Sequence, residues 1–311
     1  MANDHTIDVQ QARSFLTGHL GIEPAQVVQI GEGAWSRCFG FSCDGQALVI
    51  RFGQYVDDFQ KDQLAHAYAT PDLPIPQVLE IGPALDGYYA ISRRVYGLPL
   101  EEVSAEQWMA LVPAVVAALE ALRMADLTAT VGFGGWSADG NAGHSGWASR
   151  LLSVDQDTPD QRGHGWRERL TRSPHGAAAF AWGFDLLKKI VDDAVPRCLL
   201  HCDLMNRNVL VDGAQITGVL DWGCSVYGDH LYDLAWFEFW APWHPQLNVA
   251  SLRSALEQRW LEKGYAPENK DTRLLASYLH IGLEHLAYHA HLENWETLAA
   301  IADRMRALAG R

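Results

Sequence analysis

The chain is short of the residues that build disulfide scaffolds or metal knuckles. Its five cysteines (Cys38, Cys43, Cys198, Cys202 and Cys224) are odd in number and include no C-x-x-C pair. That excludes a disulfide framework and a zinc ribbon, and reduced thiols point to the cytoplasm. Basic residues are also scarce: 24 Lys and Arg stand against 38 Asp and Glu, a net charge of -14. Such a chain repels polyanions, so no nucleic-acid partner is expected, whereas its field attracts a cationic small molecule. Long hydrophobic runs are lacking. The most apolar stretches, such as LVPAVVAAL from Leu111, are shorter than a membrane span, so no membrane partner is expected. The opening residues MANDHTIDVQ carry no basic segment followed by an apolar block, so no secretory leader is expected. There is no internal repeat, and no interface pattern, so a monomer is the expected state.

What is present is a globular composition, 48% hydrophobic and 20% charged, over 311 residues. That length suggests two lobes rather than one core. Asp8 caps a helix through VQQARSFLTGHL. Short β-rich runs follow, at AQVVQIG, SRCFGFSC and ALVIRFG, with a hairpin signal at Asp44-Gly45. A helix from Asp57 to Tyr68 is broken by PDLPIP. QVLEIG and YYAISRRV complete a five-stranded antiparallel meander. After Gly97 the pattern turns helical, from Ser104 to Ala125, from Ala177 to Val195, and from Leu231 to the end. Loops are predicted at Thr128–Gly146 and Ser153–His175. One hairpin, NVLVDGAQITGVLDW, interrupts the helices. The chain is therefore read as an α+β protein with a small sheet lobe, residues 1–96, and a large mainly helical lobe, residues 97–311.

The strongest chemical signal is H-x-D-x-x-x-x-N, spanning His201 to Asn208, followed by Asp221-Trp222-Gly223 at the end of the hairpin. Phosphoryl transfer from a nucleotide needs this set. One carboxylate orients the attacking hydroxyl or takes its proton, the role assigned to Asp203. An amide oxygen and a second carboxylate, Asn208 and Asp221, suit Mg²⁺, which prefers oxygen ligands. Gly31-Glu32-Gly33-Ala34-Trp35-Ser36 joins the first two strands. Gly31 and Gly33 would let backbone N–H groups approach phosphates, with Ser36 adding its N–H or hydroxyl.

These residues resemble the protein-kinase-like superfamily and, within it, the aminoglycoside phosphotransferase family. Gly228-Asp229-x-x-x-Asp233-Leu234-Ala235 continues that likeness. LPIPQVLEIG, ISRR-x-x-G, the GFG around Phe133, FW-x-PW and IGLEHL resemble its hygromycin B branch. The resemblance implies a kinase-like two-lobed fold and an ATP- and Mg²⁺-dependent enzyme that phosphorylates a hydroxyl of a hygromycin B-like antibiotic, and so confers resistance. It implies that Asp233 braces the catalytic loop. It implies that Arg51, where most kinases carry lysine, binds phosphate, with Asp62 or Asp58 as its acidic partner. It implies a hinge strand in which Ser92, Arg93 and Val95 flank the base. Carboxylates and aromatic faces suit a polycationic substrate, which singles out Glu238, Trp240, Trp243 and Glu284 beside Asp203. A metabolic kinase of the same fold, acting on choline, homoserine or a sugar, shares every motif but the substrate wall. A nucleotide-binding pseudoenzyme would be expected to lose Asp203, Asn208 or Asp221. Metal readings at His285/His289 and at Cys198/His201/Cys202 compete less well with the kinase pattern.

Overall fold

Asp8 accepts a hydrogen bond from the Gln11 N–H while the Gln11 side chain accepts from the Asp8 N–H. This reciprocal cap starts helix α1 (Val9–Leu20). The computed structural model describes residues 7–21, 23–33 and 36–310. Strands β1 (Ala25–Glu32), β2 (Ser36–Cys43) and β3 (Gln46–Gly53) follow in antiparallel order. The β2–β3 turn places both Asp44 and Gly45 at positive φ, as a tight hairpin turn requires. Helix α2 (Val56–Ala65) then crosses to β4 (Val78–Ala84) and β5 (Gly87–Arg93).

The sheet order is β1-β2-β3-β5-β4, so the expected meander is corrected. A helical crossover returns β4 parallel to β3, and the antiparallel hairpin partner β5 fills the gap between them. Phe39, Phe41, Ile50, Phe52 and Ile91 pack on one face of this sheet against Ala12 and Leu16 of α1. Each such side chain, fully buried, contributes roughly 1.5–3 kcal/mol of transfer free energy.

Past the sheet, β6 (Leu98–Pro99) already pairs with a strand of the helical lobe, Leu98 opposite Val211. Helix α3 (Ala105–Arg123) carries a capping box on Ser104 and Gln107. It is long and apolar enough, by length and composition, to cross a membrane, which the reading of shorter runs overlooked. Its apolar face, including Trp108, Leu111, Val115 and Leu119, lies in the main core. The segment expected as a loop at 128–146 holds a short hairpin, β7 (Phe133–Trp136) and β8 (Ala142–His144). Its strand character comes from tertiary pairing that local composition does not encode. Helix α4 (Trp147–Leu152) follows. The second expected loop contains α5 (Trp166–Leu170), whose Trp166 and Leu170 are buried.

Helix α6 (Pro174–Ile190) leads to β9 (Cys198–Leu200), then to the hairpin β10 (Val209–Asp212) and β11 (Gln215–Val219), and to β12 (Val226–Gly228). β12 joins β9 to β7 in a four-stranded sheet. Gly228 is needed there because a Cβ would lie 2.2 Å from the Trp147 ring. Helices α7 (Leu231–Trp240), α8 (Val249–Glu262), α9 (Lys270–His291) and α10 (Trp295–Leu308) complete the lobe. The β9–β10 segment and the end of β11 thus open toward the five-stranded sheet, and Asp203, Asn208 and Asp221 emerge there.

Candidate active site

A cleft of about 1410 Å³ runs between the five-stranded sheet and the helical lobe. Asp203, Asn208 and Asp221 all line it, with Gly31, Gly33, Ser36, Arg51, Ser92, Arg93 and Val95. Ala34 and Trp35 of the glycine loop lie outside the described residues. The Gly33 N–H donates to the Ser36 carbonyl at 2.9 Å, which closes the turn.

The His201–Asp203 segment is held by backbone hydrogen bonds to buried side chains. Asp233 on α7 accepts from the His201 N–H at 2.9 Å and from the Cys202 N–H at 2.8 Å. Burial pushes the Asp233 carboxyl up to about 6, against the pull of those two N–H groups. His201 is fully buried and burial lowers it to about 4, so it is neutral at pH 7. Its Nε2–H donates to the Leu220 carbonyl at 2.8 Å, and its Nδ1 accepts from the Asp203 N–H at 3.3 Å. One neutral tautomer therefore ties the start of the catalytic segment to the end of β11.

Asp203 is shaped by two amides. The Asn206 Nδ2 donates to its Oδ2 at 3.2 Å, and the Asn208 Nδ2 donates to its Oδ2 at 3.1 Å and to its carbonyl at 2.8 Å. Burial raises Asp203 to about 7, with Asp221 adding to the rise and the two asparagines opposing it. With the Asn208 nitrogen committed to Asp203, its oxygen is the amide atom left for a cation. The Leu220 N–H donates to the Asn208 carbonyl at 2.7 Å, which sets Asn208 beside Asp221. Cys202, Arg207 and Asp221 all adopt left-handed backbone, with φ of 64°, 62° and 57°. For non-glycine residues each costs on the order of 1–3 kcal/mol, the kind of strain that gathers at functional sites.

On the sheet side, Arg51 pairs with Asp62 of α2, and its guanidinium stacks 5.0 Å from the Phe59 ring. The other oxygen of Asp62 accepts from the Trp222 N–H at 2.7 Å. Asp58, the alternative partner, instead takes Arg162 at 2.8 Å, alongside Asp57.

On the wall formed by the C-terminal helices, Glu284 lines the cleft. Burial opposes its charge, but the adjoining His280 and then Arg150 at 2.8 Å pull it below the usual carboxylate range. Neighbouring His280, lowered to about 4 by burial, is neutral at pH 7. The structure does not bring Glu238, Trp240 and Trp243 to this wall. Glu238 is turned into the helical lobe, where Arg253 at 2.9 Å and the Tyr278 hydroxyl satisfy it. Trp240 stands one ring behind the wall, 4.8 Å from His285, and Trp243 is 5.2 Å beyond Trp240. Cleft residues that the sequence reading missed include Lys61, Arg150, Arg162, Trp236, His280 and Tyr288. Only Lys61 had a local signal, its place next to Asp62.

Among the described residues, no group of three or more His, Cys, Asp or Glu side chains is placed to hold a metal. No such cluster forms around Cys198, His201 and Cys202, where both His201 nitrogens are already bonded. A carboxylate and an amide oxygen on one cleft wall do fit a hard cation that arrives with phosphate oxygens of its own.

A brace under an H-x-D segment, a cation–carboxylate pair on the third strand and a glycine turn above one cleft define a kinase-like phosphotransferase site. A model of the phosphotransferase enzyme family matches residues 58–269, and the chain belongs to that family. It is 31% identical over 265 residues to hygromycin-B 4-O-kinase of Escherichia coli, covering 84% of this chain and 74% of that one. A homoserine kinase of Neisseria meningitidis serogroup B is 35% identical over 75 residues, 22% of this chain and 25% of that one. The fold of this chain matches a thermostable mutant of aminoglycoside phosphotransferase APH(4)-Ia, solved as a ternary complex with AMP-PNP and hygromycin B. That match has a TM-score of 0.82 at 29% identity and covers 95% of this chain and 97% of that one.

Proposed function

We propose that this protein transfers the γ-phosphoryl group of ATP to a hydroxyl of a cationic aminocyclitol or aminoglycoside of the hygromycin B type, and so confers resistance to it. The observation that carries this is the convergence of Asp203, Asn208 and Asp221 in one cleft with the Arg51–Asp62 pair. Residues 1–96 act as the nucleotide lobe and 97–311 as the catalytic lobe. The apolar slot between Val49 and Ala90 above, and Leu210 and Val219 below, receives the base beside Ser92, Arg93 and Val95. Arg51 and the Gly31–Ser36 turn hold the phosphates. Asn208 and Asp221 would hold Mg²⁺, which supplies charge neutralisation on the phosphate oxygens.

Asp203 accepts the proton of the substrate hydroxyl as its oxygen bonds to the γ-phosphorus. The bond from that phosphorus to the bridging oxygen breaks, and ADP leaves. A carboxyl raised to about 7 is a better base than a solvated aspartate. Glu284, held as a carboxylate, takes a substrate ammonium, with Trp236 and Tyr288 offering aromatic faces on the same wall. We further place the protein in the cytoplasm as a monomer, a placement supported by its five free thiols.

A coupled ADP-release assay with Mg·ATP tests the reading, offering hygromycin B, other aminoglycosides, choline and homoserine in turn. Turnover on hygromycin B is expected, and Asp203→Asn should lower it by about 10²–10⁴-fold, the usual worth of general-base help. Turnover on homoserine or choline alone would replace the antibiotic reading with the metabolic one, which the shorter homoserine kinase match favours. Near-normal turnover in Asp203→Asn would show that another group takes the proton.

A further inference from the structure

Lys61 is a partly buried lysine on the cleft-facing side of α2 that the mechanism above leaves unused. Its Nζ donates to the Gly223 carbonyl at 2.8 Å and to the Ser225 carbonyl at 3.3 Å. The next residue on the helix, Asp62, accepts from the Trp222 N–H at 2.7 Å. Two consecutive side chains of α2 thus grip three backbone atoms of the Trp222–Ser225 turn. That turn begins immediately after Asp221, whose φ of 57° is unfavourable for an L-residue and persists only where the surroundings enforce it.

Among the described residues no carboxylate forms an ion pair with Lys61. Nearby Asp57 and Asp58 are engaged by Arg162 at 3.0 and 2.8 Å. Lys61 therefore spends its charge on two carbonyl dipoles. Burial pulls its amine below the usual lysine range, a cost that those two bonds offset. The grip joins the small lobe, through α2, to the one strained residue that the phosphotransfer reading assigns to the metal.

We propose that Lys61 is a positioning residue for Asp221: it fixes the turn after β11 so that the Asp221 carboxylate is presented to the metal of a metal–nucleotide complex. The proposal rests on the phosphotransfer reading, and a binding experiment separates the two. Full-length wild type, Lys61→Met and Lys61→Arg would be titrated with AMP-PNP by calorimetry, first in EDTA and then with Mn²⁺ as the metal. Thermal melts and kcat and KM for ATP would be measured on the same samples.

Supporting groups around metal ligands are typically worth about 10–100-fold in metal affinity. Lys61→Met should therefore need about tenfold more Mn²⁺ for half-saturation while keeping its metal-free AMP-PNP affinity within about twofold. Its kcat should fall more than its KM for ATP rises, and Lys61→Arg should recover most of the loss. Lys61→Gln carries the same test should Lys61→Met not fold. An unchanged Mn²⁺ requirement would overturn the proposal, as would a variant that merely melts earlier. Equal loss of metal-free and metal-bound nucleotide would also overturn it, because Lys61 would then be a phosphate ligand. No nucleotide binding by wild type would overturn the phosphotransfer reading, and this proposal with it.

Discussion

At the scale of single residues, the most consequential bond donors are backbone N–H groups. Asp233 takes two of them with two oxygens, and among the described residues no other acceptor reaches either. Asp233→Asn keeps the shape but turns an amide NH₂ toward one N–H, leaving two donors face to face in a buried site. Hydrogen bonds to charged groups are worth about 1.5–3 kcal/mol, so the variant should melt several degrees lower. It should also lose turnover, because His201 and Cys202 no longer fix the approach to Asp203. Thermal melts and kcat on the same preparation check both. The brace was legible in the sequence because Asp233 belongs to a contiguous motif, Gly228 to Ala235. Asp203, Asn208 and Asp221 were legible for the same reason: their spacing is set by one loop and one hairpin. The Arg150–Glu284 pair was not, since it joins residues 134 apart on elements whose packing no local pattern encodes. Glu238 was misplaced for a related reason. A helix offers several faces, and composition does not say which face its acid shares with Arg253 and Tyr278.

At the scale of elements, the link from β5 to β6 shows how closely the two lobes are joined. The Thr217 hydroxyl donates to the Tyr96 carbonyl at 2.7 Å. A Cβ on Gly97 would stand 2.7 Å from the Thr217 hydroxyl oxygen and 2.9 Å from both N and O of Val211. Two of those three atoms are backbone of β10 and cannot swing away. Gly97→Ala should therefore push the link off the β10–β11 hairpin. Overpacking of this kind costs about 1–3 kcal/mol. Because Arg93 and Val95 line the cleft just upstream, KM for ATP should rise with little change in kcat. Steady-state kinetics and a melt decide it, and an unchanged KM would mean that the hinge absorbs the extra methyl. The helical and strand elements were mostly readable from periodicity, but sheet order was not. Nothing in QVLEIG or YYAISRRV says which of the two strands lies next to ALVIRFG; the crossover through α2 settles that. The same limit hid β7, a Gly-rich segment made a strand by pairing with β12 at Gly135 and Val226.

At the scale of the whole molecule, the helical lobe and its border with the cleft hold a set of neutral imidazoles, three of them buried. His201, His230, His280 and His289 are each lowered to about 4 by burial. In the unfolded chain they titrate near the ordinary histidine value of about 6.5. Between those values the unfolded chain binds protons that the folded chain refuses, so stability falls as pH drops through that window. Two buried carboxyls act in the opposite sense. Asp203 and Asp233, raised to about 7 and about 6, take up protons while folded that the unfolded chain does not yet bind. Four groups against two leave a net uptake of protons on unfolding near pH 5. Each net proton is worth about 1.4 kcal/mol per pH unit. Urea denaturation at pH 7.5, 6, 5 and 4.5 should therefore give a midpoint that falls steadily below pH 6.5. His280→Gln should flatten that fall by removing one imidazole, since its neighbours Tyr232 and Arg150 can both bond an amide. A midpoint that is flat or rises toward pH 5 would mean that the carboxyls outweigh the imidazoles, and that the lobe meets acid with Asp203 and Asp233 already neutral.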